Sequence, residues 1–218
     1  MENNVINNYL SIQQNIKKNF KSQKNVNIIS VSKTFPQEKI LPLIKYGNIH
    51  FGENKVQEAQ AKWIDFKKEY SHVKLHMIGK LQSNKAKNAV QLFDYIHTLD
   101  NQKLSDKLSE AEIKFHQKRK YFIQVNLGNE NQKSGINMSL VDQFYTYCTK
   151  ELDLNVIGLM AIPPQDNNTE KNFKELYELN MSLGLEELSM GMSSDYIKAL
   201  KYKATYLRIG SAIFGSRN

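Results

Sequence analysis

The sequence contains few of the residues that hold small secreted or metal-dependent proteins together. Among its 218 residues, one is a cysteine and four are prolines. The single thiol, Cys148, cannot form an intramolecular disulfide, which fits a reducing compartment. No run approaches the roughly 18 apolar residues of a membrane-spanning helix, and the first residues lack the apolar segment of a secretory signal. A soluble cytoplasmic protein is therefore expected.

Arginine is also rare, although the chain is basic. Lysine and arginine together number 30 against 22 acidic residues, which leaves a formal charge of +8, yet only three of the 30 are arginines. Proteins that read bases and phosphates rely on the forked arginine side chain. The charge therefore indicates a lysine-rich composition, and neither specific nucleic-acid binding nor membrane binding is predicted. The histidines lack the spacing of metal ligands, so no metal site is predicted.

Short apolar runs alternate with amphipathic segments along the whole chain. Apolar side chains at helical spacing in residues 1–22 predict an N-terminal helix packed on the remainder of the protein. Eight strands are predicted at residues 27–31, 48–51, 74–77, 95–98, 121–126, 155–160, 187–189 and 205–209. The helix-length segments between them predict a parallel sheet. Eight such units in about 200 residues favour a single-domain (β/α)8 barrel spanning residues 1–218 over an open sheet.

Polar residues follow the predicted strands, at the end of a parallel barrel where active sites lie. Lys33 comes directly after the first apolar run. A lysine in this position either extends into solvent or is desolvated, and a desolvated neutral amine can attack a carbonyl carbon. Position alone favours the solvent-exposed lysine, so further residues have to decide between the two interpretations.

The last two predicted strands end in hydroxyl groups and glycine. Ser193 precedes a predicted helix, and Gly210 and Ser211 lead into a short terminal one. Backbone N–H groups at such helix starts bind anions, and barrels of this kind commonly bind phosphate after strands seven and eight. With Lys33 on the first strand, the pattern predicts a site for a phosphorylated aldehyde held as an imine. A helix N-cap is the alternative role of Ser193.

Eight motifs resemble, in order and spacing, the YggS/PROSC family of pyridoxal-phosphate homeostasis proteins. They are VSKTFP, FGENKVQEAQAK, HMIGKLQSNKAK, HTLD, QVNLGNENQKSGI, GLMAIPP, LSMGMSSDYIKAL and LRIGSAIFGSRN, and they span the chain from about residue 25 to residue 217. The resemblance implies an α/β fold, namely the (β/α)8 TIM barrel of the alanine racemase N-terminal type with an extra N-terminal helix. It also implies pyridoxal 5'-phosphate (PLP) as the cofactor.

The resemblance implies seven cofactor-binding residues: Lys33, Asn54, Met190, Ser193, Arg208, Gly210 and Ser211. Lys33 resembles the lysine that forms the internal aldimine. Ser193, Gly210 and Ser211 resemble the phosphate ligands, and Arg208 resembles the residue that faces the pyridine nitrogen. The other two resemble residues that line the pocket, and no residue is assigned a catalytic role.

The implied function is to hold PLP for intracellular homeostasis and delivery to PLP-dependent apoenzymes, by a monomer or weak dimer with little or no amino-acid turnover. A guanidinium facing the pyridine nitrogen cannot accept a proton, so it weakens the electron sink that amino-acid chemistry requires. Lys133, in the motif QKSG, resembles a lysine implicated in secondary cofactor handling.

Two alternatives remain at this stage. A PLP-dependent amino-acid racemase would need a second base, for which His76, His97 and Tyr121 are the candidates. A nucleotide-binding loop could be drawn from residues 128–134, but Gln132 stands where that loop requires its second glycine. Because the tight turn of a phosphate loop depends on glycine, the nucleotide interpretation is disfavoured.

Overall fold

A barrel of parallel strands forms the centre of the molecule, with helices around it. The computed structural model describes residues 2–20, 26–127, 134–164 and 168–215. The strands in these residues are β1 (Asn27–Val31), β2 (His50–Glu53), β3 (Lys74–Met77), β4 (Tyr95–Leu99), β5 (Lys120–Asn126), β6 (Ile136–Asn137), β7 (Asn155–Met160), β8 (Glu187–Met192) and β9 (Tyr206–Ile209). The α-helices are α1 (Glu2–Asn19), α2 (Gln37–Tyr46), α3 (Val56–Glu69), α4 (Ala86–Leu92), α5 (Gln102–Phe115), α6 (Val141–Thr146), α7 (Thr169–Ser182), α8 (Tyr196–Lys201) and α9 (Ser211–Phe214).

Eight of the strands close into a ring. The hydrogen-bonded order is β1-β2-β3-β4-β5-β7-β8-β9, with β9 returning to β1, and every pairing is parallel. The predicted (β/α)8 barrel with an additional N-terminal helix is thereby confirmed. The two-residue strand β6 was not predicted, and it pairs with the end of β5 outside the ring.

Some strand bounds follow from the local pattern of apolar residues, and others do not. The predicted bounds of β1, β3 and β7 coincide with the observed ones. The predicted start of β2 at residue 48 is two residues early, because Asn48 still belongs to the capping segment that follows α2. Gly47 adopts a left-handed φ of 105° there, and the Asn48 N–H donates to the Leu43 carbonyl oxygen at 2.9 Å. Such left-handed caps satisfy the last carbonyls of a helix.

Helix α1 packs on the barrel through one apolar stripe. Val5, Tyr9, Ile12 and Ile16 recur at intervals of three or four residues and are all buried, as an amphipathic helix requires. The Tyr9 hydroxyl also donates to the side-chain oxygen of Asn48 at 3.1 Å. The stripe contacts α2 and α9, so this helix covers the same side of the barrel from which Lys33 and Ser211 emerge.

The buried residues form two layers with different chemistry. A large apolar cluster fills the space between the strands and the surrounding helices and includes Cys148, whose side chain is fully buried. Burial raises the pKa of this thiol to about 11, which leaves it unreactive. A smaller cluster inside the barrel is built around Tyr95, Phe122 and Tyr206. None of the helices in the described ranges is long and apolar enough to cross a membrane.

Candidate functional site

A cavity of about 650 Å³ opens at the carboxyl end of the barrel. Its walls come from the last residues of β1, β8 and β9 and from the residues that follow β1, β2, β3, β7, β8 and β9. They are Val31, Lys33, Phe35, Asn54, Ile78, Gly79, Ile162, Met192, Ser193, Ser194, Arg208, Gly210, Ser211 and Gly215. Six of the seven residues that the resemblance implied therefore meet in one cavity, and its size is typical of a small-molecule site.

Met190 is the implied site residue that lies elsewhere. Its side chain is fully buried in the apolar layer between strands and helices, whereas Met192 lines the cavity. The cause is a bulge in β8, where Ser189 pairs with Tyr206 but Met192 pairs with Arg208. Ser189 points into the barrel and Met190 points away from it, and the extra residue then moves the next inward position from residue 191 to residue 192.

The backbone before Lys33 is held by a buried ion pair. The Ser32 hydroxyl donates to Glu53 Oε1 at 2.8 Å, and Lys62 Nζ donates both to this oxygen at 3.0 Å and to the Ser32 carbonyl oxygen at 2.9 Å. The Trp63 indole N–H donates to the same carboxylate oxygen at 3.0 Å. The carboxylate of Glu53 is fully buried and the Lys62 side chain is 10% exposed, so two neighbouring elements, β2 and α3, fix the position of this loop.

The backbone after Lys33 is held by a second carboxylate of α3. Thr34 has a left-handed φ of 69°, a conformation that costs energy for any residue with a side chain. Its N–H donates to Glu58 Oε1 at 2.6 Å, and Glu58 also pairs with Lys62 at 3.4 Å. The half-buried Lys33 thus extends from a short turn that is anchored on both sides.

Arg208 brings a buried positive charge to the cavity. Its guanidinium donates to the Ser189 carbonyl oxygen and hydroxyl, each at 2.7 Å, and to the Ala161 carbonyl oxygen at 2.8 Å. Burial lowers the pKa of Arg208 to about 10, so the group remains charged at neutral pH. No carboxylate in the described ranges forms an ion pair with it, although buried charges are normally paired.

Asn54 and Gly79 form the wall next to this charge. A Cβ atom at Gly79 would collide with the backbone oxygen and Cα of Asn54, so only glycine permits this close approach. The Asn54 side-chain oxygen is buried and has no hydrogen-bond partner. Buried polar atoms are nearly always satisfied, so this oxygen is available to a donor in the cavity.

The segments after β8 and β9 meet beside the segment that carries Lys33, because β9 pairs with β1. The Ala212 N–H, in the first turn of α9, donates to the Ser193 hydroxyl oxygen at 3.2 Å. The Gly210 carbonyl oxygen accepts from the N–H groups of Ile213 and Phe214 at 2.9 Å. The hydroxyl of Ser193, the exposed Ser211 and the backbone of Gly210 therefore border one end of the cavity. An amine, a guanidinium and hydroxyl groups in this arrangement can hold an anionic carbonyl compound.

A second cavity of about 580 Å³ adjoins the first and shares Ile78, Gly79 and Ile162 with it. Its remaining walls include Lys80, Ser134 and Pro163–Pro164. Lys133, and most of the nucleotide loop considered at residues 128–134, lie outside the described residues.

The candidate racemase bases do not line either cavity. His76 and His97 are fully buried inside the barrel. Tyr121 faces the outer layer between the strands and the helices. There its hydroxyl donates to Glu112 Oε1 at 2.9 Å. The spacing of residues along the chain did not predict that these three side chains point away from the cavities. It also did not predict that Ile78, Gly79 and Ile162 line them, although the motifs of these residues follow predicted strands.

Known proteins share the sequence and the architecture described above. The family model of the alanine racemase N-terminal domain matches residues 7–218. The chain is 36% identical to the pyridoxal phosphate homeostasis protein of Haemophilus influenzae, covering 99% of this chain and 97% of that relative. It is 32% identical to the pyridoxal phosphate homeostasis protein of Escherichia coli K12, covering 91% of this chain and 88% of that relative.

Solved structures show the same barrel. PipY of Synechococcus elongatus PCC7942, with PLP bound, matches with a TM-score of 0.87 and 30% identity, covering 97% of this chain and 100% of that chain. Alanine racemase of Bartonella henselae matches with a TM-score of 0.76 at 13% identity, covering 99% of this chain and 59% of that one, which shows the common fold alone. The fold and the cavity define a barrel of the alanine racemase N-terminal class. Within it, the chain belongs to the family of pyridoxal phosphate homeostasis proteins.

The buried ion pair between Lys62 and Glu53 is expected to contribute to the stability of the protein. Lys62→Met removes the cation from the buried carboxylate of Glu53, and breaking one partner of a buried pair costs about 3 to 5 kcal/mol. We expect a decrease of this size in the free energy of unfolding measured with urea. Lys68→Met on the same helix is the control, because Lys68 and Asp65 form an exposed pair at 2.8 Å that should contribute less than about 1 kcal/mol. Equal losses in both variants would contradict the role of Lys62.

Proposed function

We propose that this protein binds PLP in the cavity at the carboxyl end of its barrel and serves PLP homeostasis by holding and delivering the cofactor. The observation that carries the proposal is the meeting of Lys33, Arg208, Ser193 and Ser211 around one cavity of about 650 Å³. The similarity to bacterial pyridoxal phosphate homeostasis proteins and to the PLP-bound structure of PipY supports it. The proposal places the protein in the cytoplasm, with PLP-dependent apoenzymes as recipients.

The residues of the cavity fit the chemical groups of PLP. The buried guanidinium of Arg208 has no carboxylate partner in the described ranges, and the buried Asn54 oxygen has no donor. A phosphorylated, hydroxylated pyridine supplies acceptors and a donor of the kind these groups need. The cavity is also well within the size range of sites for small ligands and cofactors.

Each side chain then has a distinct task. Lys33 holds the cofactor covalently through its amine. Ser193, Ser211 and the backbone at Gly210 would bind the phosphate, and Arg208 would face the pyridine nitrogen. Asn54 lines the pocket beside them. Met192 takes the lining role that the sequence suggested for residue 190, since the bulge in β8 turns residue 192 toward the cavity.

The same residues favour a carrier over a racemase. When bound, PLP supplies an electron sink that depends on protonation of its pyridine nitrogen. The charged Arg208 side chain cannot accept a proton, and its positive charge disfavours a second one nearby. Among the described residues that line the cavity there is no histidine, tyrosine, cysteine or carboxylate that could act as a second base opposite Lys33.

The role of Lys33 has a direct chemical test. Borohydride treatment of the PLP-loaded protein should fix the cofactor on Lys33, because reduction makes a bond between an amine and an aldehyde carbon permanent. Peptide mass spectrometry locates the adduct, and Lys33→Ala should lose both the adduct and the visible absorbance band. Lys80→Ala is the control, since Lys80 follows β3 and lines only the adjoining cavity. An adduct found wholly on another lysine of the native protein would refute the assignment.

The phosphate assignment predicts different effects for two serines. Ser193→Ala removes a hydroxyl at the phosphate end, and a hydrogen bond to a charged group contributes about 1.5 to 3 kcal/mol. Cofactor release, followed by absorbance during dilution, should become about tenfold to hundredfold faster. Ser134→Ala, in the adjoining cavity, should release PLP at nearly the native rate. Equal rates in the two variants would contradict the assignment.

The carrier function predicts transfer without turnover. The PLP-loaded protein should restore activity to a PLP-dependent apoenzyme, whereas its own racemisation of alanine, measured by chiral chromatography, should stay at the rate without protein. Protein reduced with borohydride is the control for transfer, because it cannot release the cofactor. Racemisation that disappears on changing His76, His97 or Tyr121 would instead establish the racemase.

A further inference from the structure

A line of hydrogen bonds crosses the interior of the barrel and ends at Arg208. His50 Nδ1 lies 2.9 Å from His76 Nε2, and His76 Nδ1 lies 2.8 Å from His97 Nε2. His97 Nδ1 lies 2.8 Å from the Ser189 hydroxyl oxygen, which accepts from Arg208 Nη1 at 2.7 Å. Five strands, β2, β3, β4, β8 and β9, thus contribute one side chain each to a continuous line, here called the imidazole line.

The stagger of the barrel strands places these side chains in line. On β3, His76 pairs with Gly52, two residues beyond His50 on β2. On β4, Tyr95 pairs with His76, and His97 lies two residues further on. Each imidazole is therefore one inward position closer to the carboxyl end than the one before. The line climbs from the amino end of the barrel to the cavity, and it is enclosed by Tyr95 and Phe122, which stack on His76 and His97.

All three imidazoles of the line are neutral at pH 7. Burial lowers the pKa of His50 to about 4. Burial and the neighbouring charges lower the pKa of His76 and of His97 well below the ordinary value for histidine. A neutral imidazole has one nitrogen that donates and one that accepts. His76 and His97 use both ring nitrogens in the line, so each ring donates on one side and accepts on the other. All hydrogen bonds between the rings must therefore be donated in the same direction along the line.

Arg208 decides that direction. A guanidinium can only donate, so the Ser189 oxygen accepts from it, and the single hydroxyl proton of Ser189 is left for His97 Nδ1. His97 then carries its proton on Nε2 and donates to His76, which in turn donates to His50. In this direction the negative end of each dipole faces the guanidinium, which stabilises its charge. The opposite direction would point three N–H dipoles toward a buried cation, and the serine proton would have no acceptor among the hydroxyl's two contacts in the described residues, His97 and Arg208.

We infer that the imidazole line is a polarised array that positions Arg208 and stabilises its charge in place of a carboxylate. A carboxylate in contact with the guanidinium would neutralise it, whereas oriented dipoles hold it and leave its charge to act on the cavity. The negative charge of Asp195 also raises the pKa of Arg208, but without forming an ion pair with it. Ser189 and the three histidines are accordingly positioning residues that act through Arg208. The assignment of the array stands on the geometry of the chain, and its effect on a ligand rests on the proposed PLP function.

Nitrogen-15 magnetic resonance of the histidine rings tests the direction of the line. The full chain, labelled at histidine and measured at pH 7 with and without PLP, should show three rings with the proton on Nε2. His72 and His116 are exposed and serve as internal references outside the imidazole line, and His72→Gln and His116→Gln identify their signals. A proton on Nδ1 of His97, or an imidazolium at any of the three buried positions, would overturn the inference.

Ser189→Ala tests the coupling to Arg208. Without the hydroxyl donor, His97 should gain a population protonated on Nδ1. The absorbance maximum of bound PLP should shift. Release of PLP should become about threefold to tenfold faster, because Arg208 loses a hydrogen-bond acceptor while every group that lines the cavity is kept. Ser105→Ala is the control. Ser105, on α5, is as fully buried as Ser189, but its hydroxyl contacts Cys148 in the outer core and not the imidazole line. Unchanged His97 signals and an unchanged PLP spectrum in Ser189→Ala would overturn the inference.

The two readouts separate the array from the proposed function. A native protein that binds no PLP would refute the proposed function, while the ring-nitrogen spectra would still decide the direction of the line. If Ser189→Ala does not fold, the spectra of the native chain alone decide it.

Discussion

The buried charge of Arg208 is the constraint around which the barrel interior is organised. Moving a cation out of water is costly unless polar groups replace the lost solvent. Here the replacement consists of two backbone carbonyl oxygens and the Ser189 hydroxyl, backed by the imidazole line. Polar side chains therefore occupy inward positions that barrels of this fold usually fill with branched apolar residues.

The polar interior depends on the apolar layer around it. The contacts between strands and helices form one extensive cluster of buried apolar side chains, and such burial is the dominant stabilising contribution in folding. Because this outer layer stabilises the barrel, the inner layer can hold charged and polar groups in fixed positions. The apolar layer also surrounds the Glu53–Lys62 pair at its edge. This pair anchors the turn that carries Lys33.

The cavity combines groups that are far apart along the chain but come from neighbouring strands of the ring. Lys33 follows β1, while Ser193 and Ser211 follow β8 and β9. All strands are parallel, so their carboxyl ends converge and bring these distant residues together. The fixed cation and the anchored amine suit a site that retains a phosphorylated aldehyde. The lack of a second base among the described wall residues limits the chemistry that can follow.

Local sequence pattern determined the number and order of the barrel strands, the N-terminal helix and the strand-end position of Lys33, because apolar periodicity reports which face of a segment is buried. Only the tertiary structure decided that Met192 faces the cavity instead of Met190, because the bulge in β8 arises from its pairing with β9. The approach of Gly79 to Asn54 and the alignment of His50, His76 and His97 likewise depend on register between strands. Register joins residues that are distant along the chain, and spacing within one segment carries no information about it.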